Sequence, residues 1–236
     1  MDRMKASLSN LIEAIEAAGL AYRGAFHPLA ADAVPEVRPG DATGTVVLVG
    51  MVGSAQWPAF ASSPEAHDGA ADPLDRWGHR RLAELAAAFA ARALEPSAGP
   101  PWWPFQRWAQ RAESLYTSPL GLLIHPTYGL WHSYRGALLL PQTLPLPART
   151  SAASPCATCA AQPCLQACPV SAFAPGVFHA ERCDDYLRRH PRSACHQHGC
   201  AARLACPIGR DHAQTPAQAQ FHLEAFLRSR DEGKRG

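Results

Sequence analysis

No cysteine occurs in the first 155 residues of this 236-residue chain. No window reaches the roughly 18 consecutive apolar residues that a membrane-spanning helix needs. Charge of either sign is sparse: charged residues make up 18% of the chain and the formal net charge is +2. The first absence excludes scattered core packing as the reason for the cysteines that follow. The second excludes a spanning helix, and so mild a balance does not imply a nucleic-acid or membrane surface by itself. The opening stretch carries Glu13 and Glu16 within its apolar rhythm, unlike a secretory leader, so a cytoplasmic location and no membrane partner are expected. With 47% hydrophobic residues the chain can bury a core as one large or two small domains.

What is present is a crowd of eight cysteines within residues 156–206: Cys156, Cys159, Cys164, Cys168, Cys183, Cys195, Cys200 and Cys206. Thiolates are the usual ligands of iron-sulfur clusters, and the first run ends in a cysteine after a three-residue gap and then proline, as in bacterial two-cluster ferredoxins. Eight such ligands fill two 4Fe-4S clusters. In those ferredoxins the cysteine before proline ligates the other cluster. By that rule Cys156, Cys159 and Cys164 take Cys206 as fourth ligand, while Cys168, Cys183, Cys195 and Cys200 hold the second cluster. Crossed ligands bring two clusters close together, which suits one-electron relay. Four residues separate Cys159 from Cys164, where ferredoxins have two, so the assignment within each cluster is less firmly fixed than the number of ligands. Two other uses of an even cysteine count compete: disulfides of a secreted module, and four-cysteine zinc sites. Neither predicts the endings Cys168-Pro169 and Cys206-Pro207, and cytosolic thiols normally stay reduced.

Along the chain, Leu8, Leu11, Ile12, Ile15 and Leu20 recur at helical spacing behind a cap at Ser7 or Ser9. Residues 45–52, continuous and rich in valine, predict a central strand buried on both faces. Asp72 then Pro73 reads as an N-cap followed by proline at the first helical position, opening a helix to about residue 94 with Leu74, Trp77, Leu82, Leu85 and Phe89 inward. A second helix follows over 103–115, and the neighbouring aromatics Trp102, Trp103, Phe105 and Trp108 serve either as core or as the wall of a flat cofactor. Strands are expected over 120–124 and 134–140 around a turn at 125–129. The proline-rich stretch 141–155 is a linker that divides the chain into domains 1–150 and 151–236. Thr215-Pro216 opens a last helix to about residue 230, and the final residues are expected to fray.

Residues 124–141 contain His125-Pro126-Thr127-Tyr128-Gly129-Leu130-Trp131, then Arg135-Gly136 and an apolar run. This segment resembles the signature of CblC-type cobalamin-processing chaperones. It is also similar to the corresponding turn and strand of epoxyqueuosine reductases, which place a two-cluster ferredoxin module directly after it, as here. The Asp72-Pro73-Leu74-Asp75 helix start with His79 resembles its counterpart in both groups. The resemblance implies an α+β protein: a nitroreductase-like αβ domain that binds cobalamin, followed by a small cysteine-rich, two-cluster ferredoxin-like domain. His125, Gly129, Trp131, Arg135 and Gly136 match the motif and are the corrinoid-binding positions it implies. By spacing alone, His125 capping a turn and Arg135 pairing with a surface carboxylate stands as the alternative.

The chain departs from both patterns. Epoxyqueuosine reductases carry an aspartate proton donor before the glycine-rich strand, and residues 96–112 hold no aspartate. The helical-repeat extension that helps those enzymes hold tRNA does not follow the cysteines, so tRNA is not an expected partner. CblC-type chaperones, for their part, carry no clusters. The sequence reading is therefore an iron-sulfur oxidoreductase that relays single electrons from a cellular donor (ferredoxin, flavodoxin or reductase) to a corrinoid, as a cobalamin-dependent reductase or a cobalamin reductase or processing protein. Its rival is a ferredoxin-like electron carrier or oxidoreductase subunit without corrinoid. Glu95, Glu113, Tyr116, Tyr128 and His132 are candidate proton donors, but none stands in a recognisable acid-base pair, so no catalytic residue is named.

Overall fold

Val46, Val47, Leu48 and Val49 are wholly buried, as β-branched residues are in a strand covered on both faces. The structure, a computed structural model, describes residues 7–149 and 151–233; of the residues 230–236 expected to fray, 230–233 continue the last helix and 234–236 lie outside the described residues. In chain order the elements are α1 (Leu8–Ala17), β1 (Ala21–Phe26), β2 (Thr45–Val52), α2 (Trp57–Ala61), α3 (Pro73–Phe89), β3 (Arg92–Leu94), α4 (Phe105–Ala112), β4 (Tyr116–Thr117), β5 (Leu123–Ile124) and β6 (His132–Leu140). Then follow α5 (Pro163–Gln166), β7 (Phe173–Ala174), β8 (Val177–Phe178), α6 (Ala180–Arg189), α7 (Ala194–His198), α8 (Ala201–Leu204) and α9 (Pro216–Gly233). No helix among the described residues is long and apolar enough to cross a membrane.

Two compact units result. One holds the chain up to Ser114 together with His132–Ser151; the other holds Leu115–Trp131 and the chain from Ala152 on. A single cut near residue 150 therefore leaves 115–131 on the wrong side. The first unit is an antiparallel sheet of order β1-β2-β6-β3. Helix α3 packs on β6, and α4 packs on β1 and β2. Gly136 of β6 has no Cβ because one would stand 2.4 Å from Leu82 of α3 and 2.6 Å from the Leu94 carbonyl of β3. In α1 the Ser7 hydroxyl accepts the Asn10 N–H at 3.2 Å, and Leu11 and Ile15 are buried.

Several expected boundaries shift for local reasons. Asp72 precedes Pro73 as expected, but it lies at φ 50 and makes no side-chain cap. The helix it opens stops at Phe89, because Ala90 turns left-handed at φ 54 and closes the helix on the Ala86 carbonyl. The chain then pairs as β3 with Ala137, Leu138 and Leu139 of β6. A residue bearing a Cβ in that conformation costs about 1–2 kcal/mol. Ala90→Gly is therefore expected to raise stability by about 0.5–1 kcal/mol net of the unfolded-state entropy of glycine; a urea or thermal midpoint that fails to rise would count against this account. Helix α4 ends at Ala112 because Glu113 is extended, and the Glu113 carboxylate reaches Arg23. Trp108 is fully buried, and its indole N–H donates to the Asp32 carbonyl at 2.8 Å. It is core, whereas Trp102 is exposed.

In the second unit, residues 118–122 form a turn closed by the Ser118 and Gly121 amides. Only Leu123 and Ile124 are extended, and they pair with Tyr116 and Thr117, not with β6. Leu120, Ile124 and Leu130 then share one buried cluster with Cys164, Ala202 and Cys206. The last helix opens as expected at Pro216, where the Thr215 hydroxyl accepts the Gln218 N–H at 3.4 Å, and it runs to Gly233.

Candidate metal centres

All eight cysteines are free thiols, so the disulfide reading has no counterpart in the fold. Cys156 lies in a tight turn at Pro155–Thr158, Cys164 on α5, and Cys206 just beyond α8. With Cys159 they line one small cavity walled by Ile124, Leu130, Ile208 and prolines. Burial, and then repulsion from Cys206, Cys164 and Cys159, pushes the Cys156 thiol above its ordinary pKa. Burial and Cys206 do the same to Cys164. A second set forms around Cys183 of α6, whose pKa is pushed up to about 12 by burial and then by Cys200, Cys168 and Cys195. Cys200, at the start of α8, is raised by burial, which N–H groups of Arg203 and Ala202 oppose. The Ala172 amide donates to Cys168 Sγ at 3.3 Å.

The thiols thus interact in two sets, with Cys206 joining Cys156, Cys159 and Cys164. Buried thiols that repel one another when ionised need cations to hold them as thiolates, and metal binding does this by displacing the protons. Among the described residues no three His, Cys, Asp or Glu side chains are arranged to hold a single metal ion. A zinc-sulfur bond of about 2.3 Å would draw four sulfurs to within about 4 Å of one another. Four thiols per set, walled by apolar residues and met by backbone N–H groups, are the donor chemistry of a four-iron cluster.

The five residues singled out by the motif have internal uses. His125 Nδ1 accepts the amides of Thr127 at 3.0 Å and Tyr128 at 3.2 Å, so the ring caps its own turn. Gly129, at φ +57, lets the Ile208 carbonyl approach to within 2.0 Å of where a Cβ would stand, seating the turn on the loop after Cys206. Trp131 is buried beneath Arg203, whose Cζ lies 4.4 Å from the indole centroid. These three belong to the second unit; Arg135 and Gly136 belong to the first. Arg135 Nη1 donates to Asp75 at 3.0 Å, and its Nε is buried with no hydrogen-bond partner. Burial lowers the Arg135 pKa, which Asp75 opposes.

Arg135 borders a polar cavity of about 300 Å³ in the first unit, with Asp75, Glu95 and Tyr134. Glu95 meets His79 at 2.6 Å. Tyr134 donates to Glu113 at 2.6 Å; burial, then the Glu113 charge, raises its pKa, so it stays a phenol. Of the other proton-donor candidates, Glu113 is held by Arg23, the Tyr116 hydroxyl donates to the Ala152 carbonyl, Tyr128 stacks on His125, and His132 packs edge-on to Tyr134. The sequence reading gave no role to Tyr134 or Arg203, and took Asp75 only as part of a helix start. Only Arg203 carried a signal, standing between Cys200 and Cys206.

No protein-family model matches the chain, and no curated protein does. Solved structures do. Epoxyqueuosine reductase from Streptococcus thermophilus is similar with a TM-score of 0.51 at 14% identity, over 86% of this chain and 66% of that one. A selenomethionine-labelled epoxyqueuosine reductase gives 0.47 at 15% identity, over 90% and 68% of the two chains. An epoxyqueuosine reductase with an epoxyqueuosine-modified tyrosine tRNA stem loop gives 0.45 at 16%, over 89% and 69%. At such identity the likeness is one of architecture: the chain has a mixed α and β fold similar to that of the Streptococcus thermophilus epoxyqueuosine reductase, over 66% of that enzyme's length.

Proposed function

We propose that this chain is an iron-sulfur oxidoreductase in which two four-iron clusters pass single electrons to an acceptor. The observation that carries the proposal is the division of the eight thiols into Cys156, Cys159, Cys164 and Cys206, which line one small cavity, and Cys168, Cys183, Cys195 and Cys200, which act on one another. The fold it shares with an epoxyqueuosine reductase supports a redox role. In this reading the cysteines hold the iron, and Ile124, Leu130 and Ile208 keep water from the first cluster. Backbone donors such as the Ala172 amide tune the second, since hydrogen bonds to sulfur and solvent exclusion set cluster potentials. The donor is a ferredoxin, flavodoxin or reductase of the cell.

The acceptor is a corrinoid, with His125, Gly129, Trp131, Arg135 and Gly136 as its binding residues. A corrinoid would supply one-electron cobalt chemistry. The unpaired Nε of Arg135 can give a charge-assisted hydrogen bond to an amide oxygen or phosphate. The internal engagement of both His125 and Arg135 favours a second reading, an electron carrier without corrinoid.

Anaerobic purification with iron and sulfide analysis, followed by an absorbance titration of cobalamin, separates the two readings. About eight irons per chain with a saturable spectral shift is the expected result. Arg135→Met and His125→Ala should each weaken the titration by about tenfold, the loss of one good hydrogen-bonded contact, and leave iron unchanged. Full iron without a cobalamin response leaves the carrier. A colourless protein containing zinc would overturn both.

A further inference from the structure

Charge in the cysteine-bearing stretch is divided along the chain. Residues 150–180, which carry Cys156, Cys159, Cys164 and Cys168, contain no Asp, Glu, Lys or Arg. Residues 186–210, which carry Cys195, Cys200 and Cys206, contain five arginines, three histidines and no Asp or Glu. A face that is merely solvated ordinarily mixes both signs. Here the fold holds the basic residues close to Cys195 of α7. The His196 ring meets the Leu187 carbonyl at 3.0 Å, and the Gln197 side chain donates to the Arg192 carbonyl at 3.4 Å. The amides of His196 and Gln197 bond the Ser193 carbonyl, so the link from α6 folds back on α7. Arg189, His190, Arg192 and His198 are left exposed.

Most carboxylates around this stretch are already engaged. Asp184 is buried against Arg188, which also holds Asp231 at 2.7 Å, and Glu181 meets Arg230 at 3.0 Å. On α9, which packs on α7, Glu224 accepts from Gln220. Asp185 reaches Arg189 only at 3.5 Å, with both side chains more than half exposed, and such a pair neutralises little. Arg192 forms no ion pair among the described residues. We propose that the face bearing Arg189, His190, Arg192 and His198 docks an acidic electron-carrier protein, which delivers its electron to the second cluster. This rests on the reading of the cysteines as cluster ligands. One electron leaves the carrier, which is oxidised, and the cluster is reduced by one; no atom changes hands. Electron-transfer encounters bury little surface, so their rate depends on electrostatic steering, which salt screens.

The test mixes the anaerobically purified, iron-loaded protein in a stopped-flow spectrometer with the hydroquinone of an acidic flavodoxin, and separately with reduced methyl viologen, a small cation. The flavodoxin rate should fall about tenfold or more between about 0.02 and 0.5 M salt, and the viologen rate should not fall. Arg189→Gln with Arg192→Gln should slow flavodoxin about fivefold or more at low salt, and weaken calorimetric binding of oxidised flavodoxin by a similar factor. Iron content and viologen reduction should be unchanged. Ala153→Glu with Ala161→Glu makes the same change of charge at exposed sites on the uncharged stretch and should slow flavodoxin less than about twofold. Indifference to salt, or equal losses from the two double variants, would overturn the proposal. So would equal slowing with viologen, which would show the arginines acting on the cluster's own charge. An RNA stem loop that binds more tightly than flavodoxin, through the same two arginines, would assign the face to nucleic acid instead. Failure to accept electrons even from viologen would overturn the cluster reading, and this proposal with it.

Discussion

Cys206→Ser is expected to lower bound iron from about eight atoms per chain to about four or fewer, because the set it completes holds one four-iron cluster. The more discriminating result is which cluster disappears. Cys206 lies six residues past Cys200 in sequence, yet its thiol interacts with Cys156 and Cys164. Cys168 lies four residues past Cys164, yet its thiol acts on Cys183. Under crossed ligation, Cys206→Ser and Cys156→Ser remove the same electron paramagnetic resonance signal from the reduced protein, and Cys168→Ser and Cys183→Ser remove the other. If Cys168→Ser behaves like Cys159→Ser instead, each run binds its own cluster and the crossing is wrong. Some damage to the second cluster in Cys206→Ser is also expected. Cys206 donates its amide to the Arg203 carbonyl within the turn that ends α8, and Cys200 starts that same helix.

Arg23→Met is expected to destabilise the first unit by about 3–5 kcal/mol, the usual cost of removing one partner from a buried ion pair. Arg23 is fully buried in the middle of β1. It donates to Glu113 Oε2 from Nη2 at 2.8 Å and from Nε at 3.3 Å, and its Cζ lies 5.4 Å from the Tyr134 ring centroid. Tyr134 donates to the same carboxylate oxygen. Without Arg23, a carboxylate only 13% exposed keeps one neutral donor and loses its counter-charge. The variant should melt about 10 °C or more below the parent. The double variant Arg23→Met with Glu113→Leu should recover most of that loss, since an apolar pair of similar volume often matches a buried ion pair. An Arg23→Met midpoint within about 2 °C of the parent, or a double variant no better than the single, would show that the network contributes little.

Arg23 also explains what the sequence conceals. Residues 45–52 read as a strand because every position after Thr45 is apolar and both faces are covered, so burial and composition agree. Residues 21–26 are equally a strand, but a charged residue and Gly24 interrupt the run, and it is remote partners, Glu113 and Tyr134 among them, that make an arginine acceptable there. β3 is hidden for a different reason. Arg92, Ala93 and Leu94 follow a helical stripe without a glycine or proline between them, and the break is a left-handed alanine. The cysteines were the legible part of the candidate centres, because ligand type and the Cys-Pro endings are local features. The seat of Arg203 over Trp131 was not legible, since it depends on how two distant stretches of chain converge. His125 and Arg135 show the limit of a motif: their identity is visible in the sequence, but their hydrogen bonds to Thr127, Tyr128 and Asp75 are not.

The loan of residues 115–131 to the second unit has a practical outcome for anyone dissecting the molecule. The polypeptide passes from one unit to the other three times, after Ser114, after Trp131 and after Ser151. A fragment ending at residue 150 would keep Leu120, Ile124 and Leu130 while discarding Cys164, Ala202 and Cys206, against which they are buried, and would carry a sticky apolar tab. A fragment beginning at residue 152 would lack half of that same core. Separate expression of the front half therefore calls for replacing 115–131 with a short polar bridge from Ser114 to His132, so that α4 still leads into β6.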